Sequence, residues 1–170
     1  MHGDRIDVVA ERIADLSILG IFISLILAHF VPNAISLSEE VSRGKDHGNV
    51  ACWMTFLLVA PLCGSMAYRM HDRGYYIFSY PLTWFVPLVL VLLPTKCYDL
   101  VHIIPAIVLF ILMVAMATVF LSRSDYAHML KVKVAVVVLA FLLLAVGIGV
   151  TEKLIIAETM LSMYLINRVI

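Results

Sequence analysis

Six long apolar runs fill most of this 170-residue chain and limit what it can fold into. Roughly 20 apolar residues in a helix cross a bilayer core of about 30 Å. Lipid cannot hydrogen-bond a bare backbone, so each run is predicted to be a transmembrane helix. The fold expected is all-α: one polytopic membrane helix bundle covering 1–170 as a single transmembrane domain. The six predicted helices are about 16–35, 50–70, 76–94, 100–121, 130–150 and 154–170.

Composition supports an integral membrane protein. Hydrophobic residues make up 63% of the chain and charged residues 14%, whereas soluble domains are typically about 45–50% apolar and about 25% charged. The mean hydropathy of +1.03 agrees with this. The formal net charge is zero, and no basic run of five or more residues is present. The sequence therefore predicts membrane lipids as partners and no nucleic acid, without indicating which membrane.

The lysines and arginines predict the orientation, because these residues accumulate in cytoplasmic loops. One side of the predicted bundle carries eight of them: Arg5, Arg12, Arg69, Arg73, Arg123, Lys131, Lys133 and Arg168. The other side carries four: Arg43, Lys45, Lys96 and Lys153. This count predicts that both termini are cytoplasmic (N-in/C-in), with outer loops at about 36–49, 95–99 and 150–153. Lys131 and Lys133 are expected to reach the inner headgroups.

The first 15 residues, MHGDRIDVVAERIAD, precede the first apolar run. They mix four acids with two arginines, and no small-residue cleavage site follows them. A cleavable signal would have a positive start and such a site. The segment is therefore predicted to be a helical lead-in to the first membrane helix.

The stretch KCYDLVHIIP, residues 96 to 105, places an acid and an imidazole at the start of an apolar helix. Asp99 is well placed to cap that helix by accepting from backbone N–H groups. Capping does not explain His102, which shares a helix face with Asp99. A carboxylate beside an imidazole fixes its tautomer and raises its basicity, as general bases and metal ligands require.

Ionisable residues of other segments are predicted to lie at the same outer level. His29 lies near the outer end of the first helix, and His47 belongs to the outer loop. Glu158 lies about one turn into the predicted sixth helix, where a carboxylate normally faces the bundle interior and a partner, for example Lys153 or His102. We therefore expect an outer-leaflet pocket in which His102, Asp99 and Glu158 are the catalytic candidates and His29 and His47 bind the ligand.

Four segments resemble a six-helix family that contains the DRAM autophagy modulators, the Sfk-type plasma-membrane proteins and a GPI-anchor lipid-remodelling factor. They are HFVPNAIS, MTFLLVAPLCGSMAYRMHDR, VHIIPAIVLFILMVAMATVFLS and TEKLIIAETMLSMYLINRVI. The chain is also similar to bacterial and archaeal six-helix proteins of unassigned function. The resemblance implies the six-helix fold, and it carries over four positions: His102, Glu158, Asn33 and Ser36. Asn33 and Ser36 thereby join the ligand-binding candidates.

Lipid binding or lipid remodelling is the first functional hypothesis. His102 would serve as general base or headgroup contact, with Asp99 orienting it and Glu158 and His29 completing the site. The nucleophile would be Ser36 or water. The alternative is a non-catalytic subunit or scaffold that joins partner membrane subunits in a larger complex. The residues leave open whether the protein is an enzyme and which cofactor, if any, it uses.

A haem or metal protein is a further alternative. His29 and His102 would ligate a b-type haem near the outer face, and His71 and His128 a second haem near the inner face. A zinc or copper site formed by His29, His102 and Glu158, with Asp99 or His47, is equally compatible with the donor types. An ion channel is disfavoured because the sequence shows no repeated carbonyl filter or ring of charges.

Overall fold

The chain forms six α-helices in a computed structural model that describes residues 2–29, 47–92, 100–143 and 148–170. No strand occurs within these ranges, which confirms the all-α part of the prediction. The helices are α1 (His2–His29), α2 (His47–Asp72), α3 (Tyr76–Leu92), α4 (Leu100–Leu121), α5 (Met129–Leu143) and α6 (Ile148–Val169).

The helix bounds differ from the predicted ones at both ends of the chain. Helix α1 begins at His2 and includes the polar lead-in, which confirms the predicted helical start of the chain. Helix α6 begins at Ile148, so the outer turn predicted at 150–153 is wrong. Thr151 is helical there, and its hydroxyl donates to the Ala140 carbonyl of α5 at 3.1 Å. Because the neighbouring helix satisfies its hydroxyl, Thr151 does not end α6.

Helix α6 is the centre of the bundle. It packs against α1, α4 and α5, whereas α2 packs against α1 and α3. Smaller contacts join α3 to α4 and α4 to α5. The last turn of α6 meets the first half of α1, where Arg168 pairs with Glu11. The end of α6 and the start of α1 therefore lie at the same end of the bundle.

The reversal between α2 and α3 is closed by a glycine. Gly74 has φ of 79°, a left-handed conformation that is open to glycine at little steric cost. Its N–H donates to the His71 carbonyl at 3.0 Å, and the Tyr75 N–H donates to the Met70 carbonyl at 2.8 Å. These are the two bonds of a Schellman motif, which satisfies the last carbonyls of α2 and ends it.

The contact between α1 and α2 depends on a second glycine. A Cβ built on Gly20 would lie 2.6 Å from Cδ1 of Leu58. The absence of a side chain at Gly20 lets the two helices approach closely, in the manner of small-residue contacts between membrane helices.

The core is formed mainly by α1, α2, α4 and α6. Many of its members are methionines, whose flexible thioethers fill irregular gaps. Cys63 is buried and free, as expected for a small apolar side chain. The largest fully buried side chains are Ile21, Leu62, Met66, Met70, Leu82, Met116, Leu121, Met163, Ile166 and Asn167. Helix α5 contributes none of these, and its buried described residues are Lys133 and Ala140.

Besides its apolar core, the bundle buries several polar side chains, and it exposes many large apolar ones. Ile77 is 76% exposed and Trp84 is 72% exposed on α3, and Leu142 is 70% exposed on α5. Inside, serine hydroxyls donate to the carbonyl one turn earlier, as Ser17 does to Ile13 at 2.7 Å and Ser24 does to Gly20 at 2.8 Å. Counted over the described residues alone, no helix is both long enough and apolar enough to qualify as a membrane span.

Candidate functional site

Three polar side chains meet between α5 and α6 within an otherwise apolar region. Glu158 lies midway along α6, and Ser162 follows one turn later on the same face, because residues four apart are neighbours on a helix. Lys133 lies one turn into α5 and faces both of them. All three are buried. We refer to Lys133, Glu158 and Ser162 as the polar trio.

The polar trio is a closed triangle of hydrogen bonds. Lys133 Nζ donates to Glu158 Oε2 at 2.6 Å and to Ser162 Oγ at 3.3 Å. Ser162 Oγ donates to Glu158 Oε1 at 2.7 Å. The Lys133 and Glu158 side chains are each 7% exposed, so the ion pair is largely removed from solvent.

The antiparallel pairing of α5 and α6 explains why these residues meet. Thr151 of α6 bonds to Ala140 of α5, nearer the connection between the two helices. Moving away from that connection by seven residues along each helix leads to Lys133 and Glu158. The two charges therefore lie at one level of the bundle, about two turns beyond the Thr151 contact.

The polar trio lies in a cleft of about 240 Å³. Residues of α5 and α6 line it, together with Phe22 of α1. Val132 and Leu161 are exposed, so the cleft opens toward the apolar outer surface. Besides the trio, its lining is apolar: Phe22, Met129, Val132, Val136, Leu154, Ala157, Leu161 and Leu165.

The chemistry of the cleft suits an amphipathic ligand. The ammonium of Lys133 and the carboxylate of Glu158 together carry no net charge. An ammonium has three N–H donors, and within the described part of the chain Lys133 uses two of them. One donor thus remains for a ligand, at the polar end of a pocket whose other walls are hydrocarbon.

A second ionic cluster joins three helices at the end of the bundle where the termini lie. Arg69 of α2 is only 3% exposed. It donates to Asp7 of α1 at 3.0 Å and to both the backbone carbonyl, at 2.7 Å, and the side-chain oxygen of Asn167 of α6. Arg168 donates to Glu11 at 2.5 Å and to Asp15 at 2.7 Å. We call Asp7, Glu11, Asp15, Arg69, Arg73, Asn167 and Arg168 the end network.

Asp7 is the most strongly perturbed acid of the end network. Arg73 donates to its two oxygens at 2.9 and 2.8 Å. These bonds, helped by Arg69 and opposed by partial burial, lower the pKa of Asp7 from 3.8 to about 2. The same bonds raise the pKa of Arg73. The arrangement is that of an ion pair that links α1 to α2, since every charge has a partner.

The structure tests little of the outer-leaflet pocket predicted from the sequence. His29 is the last residue of α1, His47 the first of α2, and His102 lies in the first turn of α4, but their side chains lie outside the described part of the chain. Asn33, Ser36 and Asp99 fall in segments that the structure does not describe. The helix neighbours that the pocket requires are present, because α6 packs against both α1 and α4.

The predictions for Glu158 and Lys133 were wrong in part. Because α6 begins at Ile148, Glu158 lies about three turns into its helix, not one turn as predicted. It pairs with Lys133, a residue that the sequence assigned to the opposite, cytoplasmic side. Lys133 is buried rather than extended to the headgroups, whereas Lys131 is exposed as expected. Opposite charges on two consecutive helices were the signal in the sequence, but matching their positions requires the start of α6 at Ile148.

The metal and haem hypotheses gain no support from the described side chains. These contain no cluster of three or more His, Cys, Asp or Glu residues that would hold a metal ion. His71, one of the haem ligand candidates, is exposed and contacts the rings of Tyr76 and Tyr80, with centroids 4.8 and 5.9 Å away. His128 is also exposed, in the connection between α4 and α5.

No protein-family model, curated protein or solved structure matches this chain.

Proposed function

We propose that this chain is an integral membrane protein, with both termini cytoplasmic, that binds the hydrocarbon portion of a membrane lipid in the cleft beside the polar trio. The observation that carries the proposal is the cleft itself. It joins a buried, hydrogen-bonded ion pair to apolar walls and opens onto an apolar surface. A lipid chain has the chemistry to fill such a space.

The distribution of side chains supports the membrane location. Soluble monomers rarely expose contiguous apolar patches larger than a few hundred Å². Here large apolar side chains are exposed on α1, α3, α4 and α5, for example Leu16, Trp84, Ile111 and Leu142. Ionisable residues within membrane helices face the interior and pair with one another, as Lys133 and Glu158 do.

The orientation proposed from the positive charges holds after the two buried cations are set aside. Arg69 and Lys133 are committed to buried ion pairs, so they are poor indicators of loop charge. Six of the eight predicted cytoplasmic cations then remain, against four on the other side. The excess still favours cytoplasmic termini.

The weak apolar anchoring of α5 supports binding at the cleft. Lys133 and Ala140 are its buried described residues, and each is held by a hydrogen bond to α6. A hydrocarbon chain between α5, α6 and Phe22 would add the apolar contacts that this side of the bundle lacks. With about 240 Å³, the cleft is smaller than the roughly 300–1,000 Å³ typical of drug-sized ligands. It therefore suits one segment of a chain.

Lipid remodelling remains part of the hypothesis for the outer-leaflet residues. His102 and Asp99 are its proposed acid–base pair, with His29, Asn33, Ser36 and His47 around the ligand. Glu158 fits the cleft better than that pocket, because its two oxygens already accept from Lys133 and Ser162. Lipid binding is thus the function that the described contacts support best.

Photocrosslinking tests the proposal. The protein would be reconstituted in bilayer nanodiscs with phosphatidylcholine that carries a diazirine on one acyl chain, and adducts would be mapped by mass spectrometry. We expect adducts concentrated on the cleft residues Val132, Val136 and Leu161. The variant Ala157→Phe fills the cleft and should remove most of these adducts.

Val134→Phe is the matched control, because Val134 is exposed on α5 and does not line the cleft. Its adducts should equal those of the unmodified protein. Adducts spread evenly over all exposed apolar faces and unaffected by Ala157→Phe would contradict binding at the cleft. Release of the protein from membranes by alkaline carbonate washing would contradict the integral membrane location.

A further inference from the structure

The charge and hydrogen-bond balance of the polar trio restricts which lipid group can occupy the polar end of the cleft. Together, Lys133 and Glu158 are neutral. A ligand with a negative charge would place an uncompensated charge in a largely dehydrated site, and such burial is strongly unfavourable. The cleft therefore disfavours a free carboxylate, sulfonate or phosphate.

One hydrogen-bond donor of the polar trio has no acceptor among the described residues, and it belongs to Lys133. Ser162 Oγ donates to Glu158 and accepts from Lys133. Glu158 accepts one bond on each oxygen. Lys133 has a third N–H that no described residue accepts, and a ligand that offers a neutral acceptor oxygen would match it.

We propose that the cleft selects a neutral, carbonyl-bearing hydrocarbon chain, with its carbonyl oxygen accepting from Lys133 Nζ. This inference rests on the proposed lipid-binding function and specifies its ligand. Two membrane sources share the chemistry: the acyl ester carbonyl of a glycerolipid and the ring carbonyl of an isoprenoid quinone. In both, the apolar chain would lie along Val136, Leu161 and Leu165.

Four photoactivatable probes with the same diazirine-bearing chain test the selection. They end in a methyl ester, a benzoquinone, an alkyl sulfonate that is permanently anionic, and a plain alkane. Labelling of the cleft would be expressed relative to labelling around Trp84, which is exposed on α3 outside the cleft. This ratio cancels differences in how the probes partition into the bilayer.

We expect the ester probe, the quinone probe or both to label the cleft, relative to the surroundings of Trp84, about tenfold more than the sulfonate and alkane probes do. Tenfold is the factor expected for one hydrogen bond from a charged donor. Whichever probe does so identifies the source of the carbonyl. The double variant Lys133→Met/Glu158→Met, which leaves no unpaired charge, should fold and should equalise the carbonyl probes with the alkane.

Sulfonate labelling equal to or above ester and quinone labelling would overturn the selection while leaving lipid binding intact. The same holds if the double variant keeps the preference for carbonyl probes. Absence of cleft labelling by every probe, the alkane included, would instead refute the proposed lipid-binding function. The two failures are therefore distinguishable.

Discussion

The polar trio and the end network use the same ion-pair chemistry in opposite settings. In the trio, two charges and one hydroxyl link two helices that are consecutive in the chain, and both charged side chains are 7% exposed. In the end network, seven residues join α1, α2 and α6, and Arg168, Glu11 and Asp15 are partly exposed. Among the described residues the trio has one cation and one anion, whereas the end network combines three arginines with three carboxylates, so that a carboxylate such as Asp7 has two arginine partners.

This difference assigns different roles to the two regions. A redundant, partly hydrated network tolerates the loss of a member, because the remaining charges and water compensate, and it suits the joining of helices that are distant in sequence. An isolated buried pair contributes little net stability but makes the loss of either member costly. Its place in an apolar cleft fits the ligand recognition proposed above.

The largest expected effect is the loss of one member of the buried pair. Lys133→Met leaves Glu158 buried with only Ser162 as a partner, and we expect the free energy of unfolding to fall by about 3–5 kcal/mol. The double variant Lys133→Met/Glu158→Met should recover most of that loss, because apolar side chains of similar volume replace the pair. Reversible unfolding by sodium dodecyl sulfate in mixed micelles measures both.

Lys131→Met is the matched control for this series. Lys131 lies two residues earlier on α5 and is exposed, so its replacement should change stability by less than about 0.5 kcal/mol. If Lys133→Met were as mild as Lys131→Met, or if the double variant were less stable than both single variants, the trio would not be the isolated buried pair described above.

A smaller effect is expected at the best-buried member of the end network. Arg69→Met removes the bonds to Asp7 and Asn167, but Asp7 retains Arg73 and Asn167 retains its bond to Asp15 at 3.0 Å. We expect a loss of about 1.5–3 kcal/mol in the same assay, the range for hydrogen bonds to charged groups. Arg12→Met, at an exposed position of α1, is the control. A loss matching that of Lys133→Met would show that redundancy does not protect the network.

Much of the fold could be predicted from the sequence, because it depends on apolar runs that one chain displays directly. The run at 100–121 coincides with α4. The ends of other helices were harder to predict. A polar residue does not by itself end a helix when a neighbouring helix satisfies its hydrogen bonds. Asp7, Glu11 and Asp15 recur every four residues and so lie on one face of α1. Identifying Arg69 and Arg168 as the partners of that face required the packing of α1 against α2 and α6.

The candidate site was predictable only in part. Glu158 was recognisable as an anomaly, since a carboxylate in an apolar helix needs a partner. Its partner Lys133 could not be recognised from the sequence. Because α6 begins at Ile148, Glu158 lies about two turns deeper in its helix than predicted. That shift places it beside Lys133 rather than near the outer surface. The cleft itself depends on Phe22 of α1, whose position no local pattern indicates.

The smallest expected effect is the pH dependence of the end network. The folded-state pKa of Asp7 is about 2, below its ordinary value of 3.8, so its stabilising contribution is fully present above about pH 4 and is lost as the pH falls toward 2. Because the pair is partly solvent-exposed, we expect Asp7→Asn to cost only about 1 kcal/mol at neutral pH. That difference should shrink to nothing near pH 2, and also in molar salt, which screens exposed charges. In contrast, the cost of Lys133→Met should change little with salt because the trio is dehydrated.

A cost of Asp7→Asn that stayed constant with pH and salt, or a salt-sensitive cost of Lys133→Met, would show that the two regions do not differ in hydration as the structure indicates.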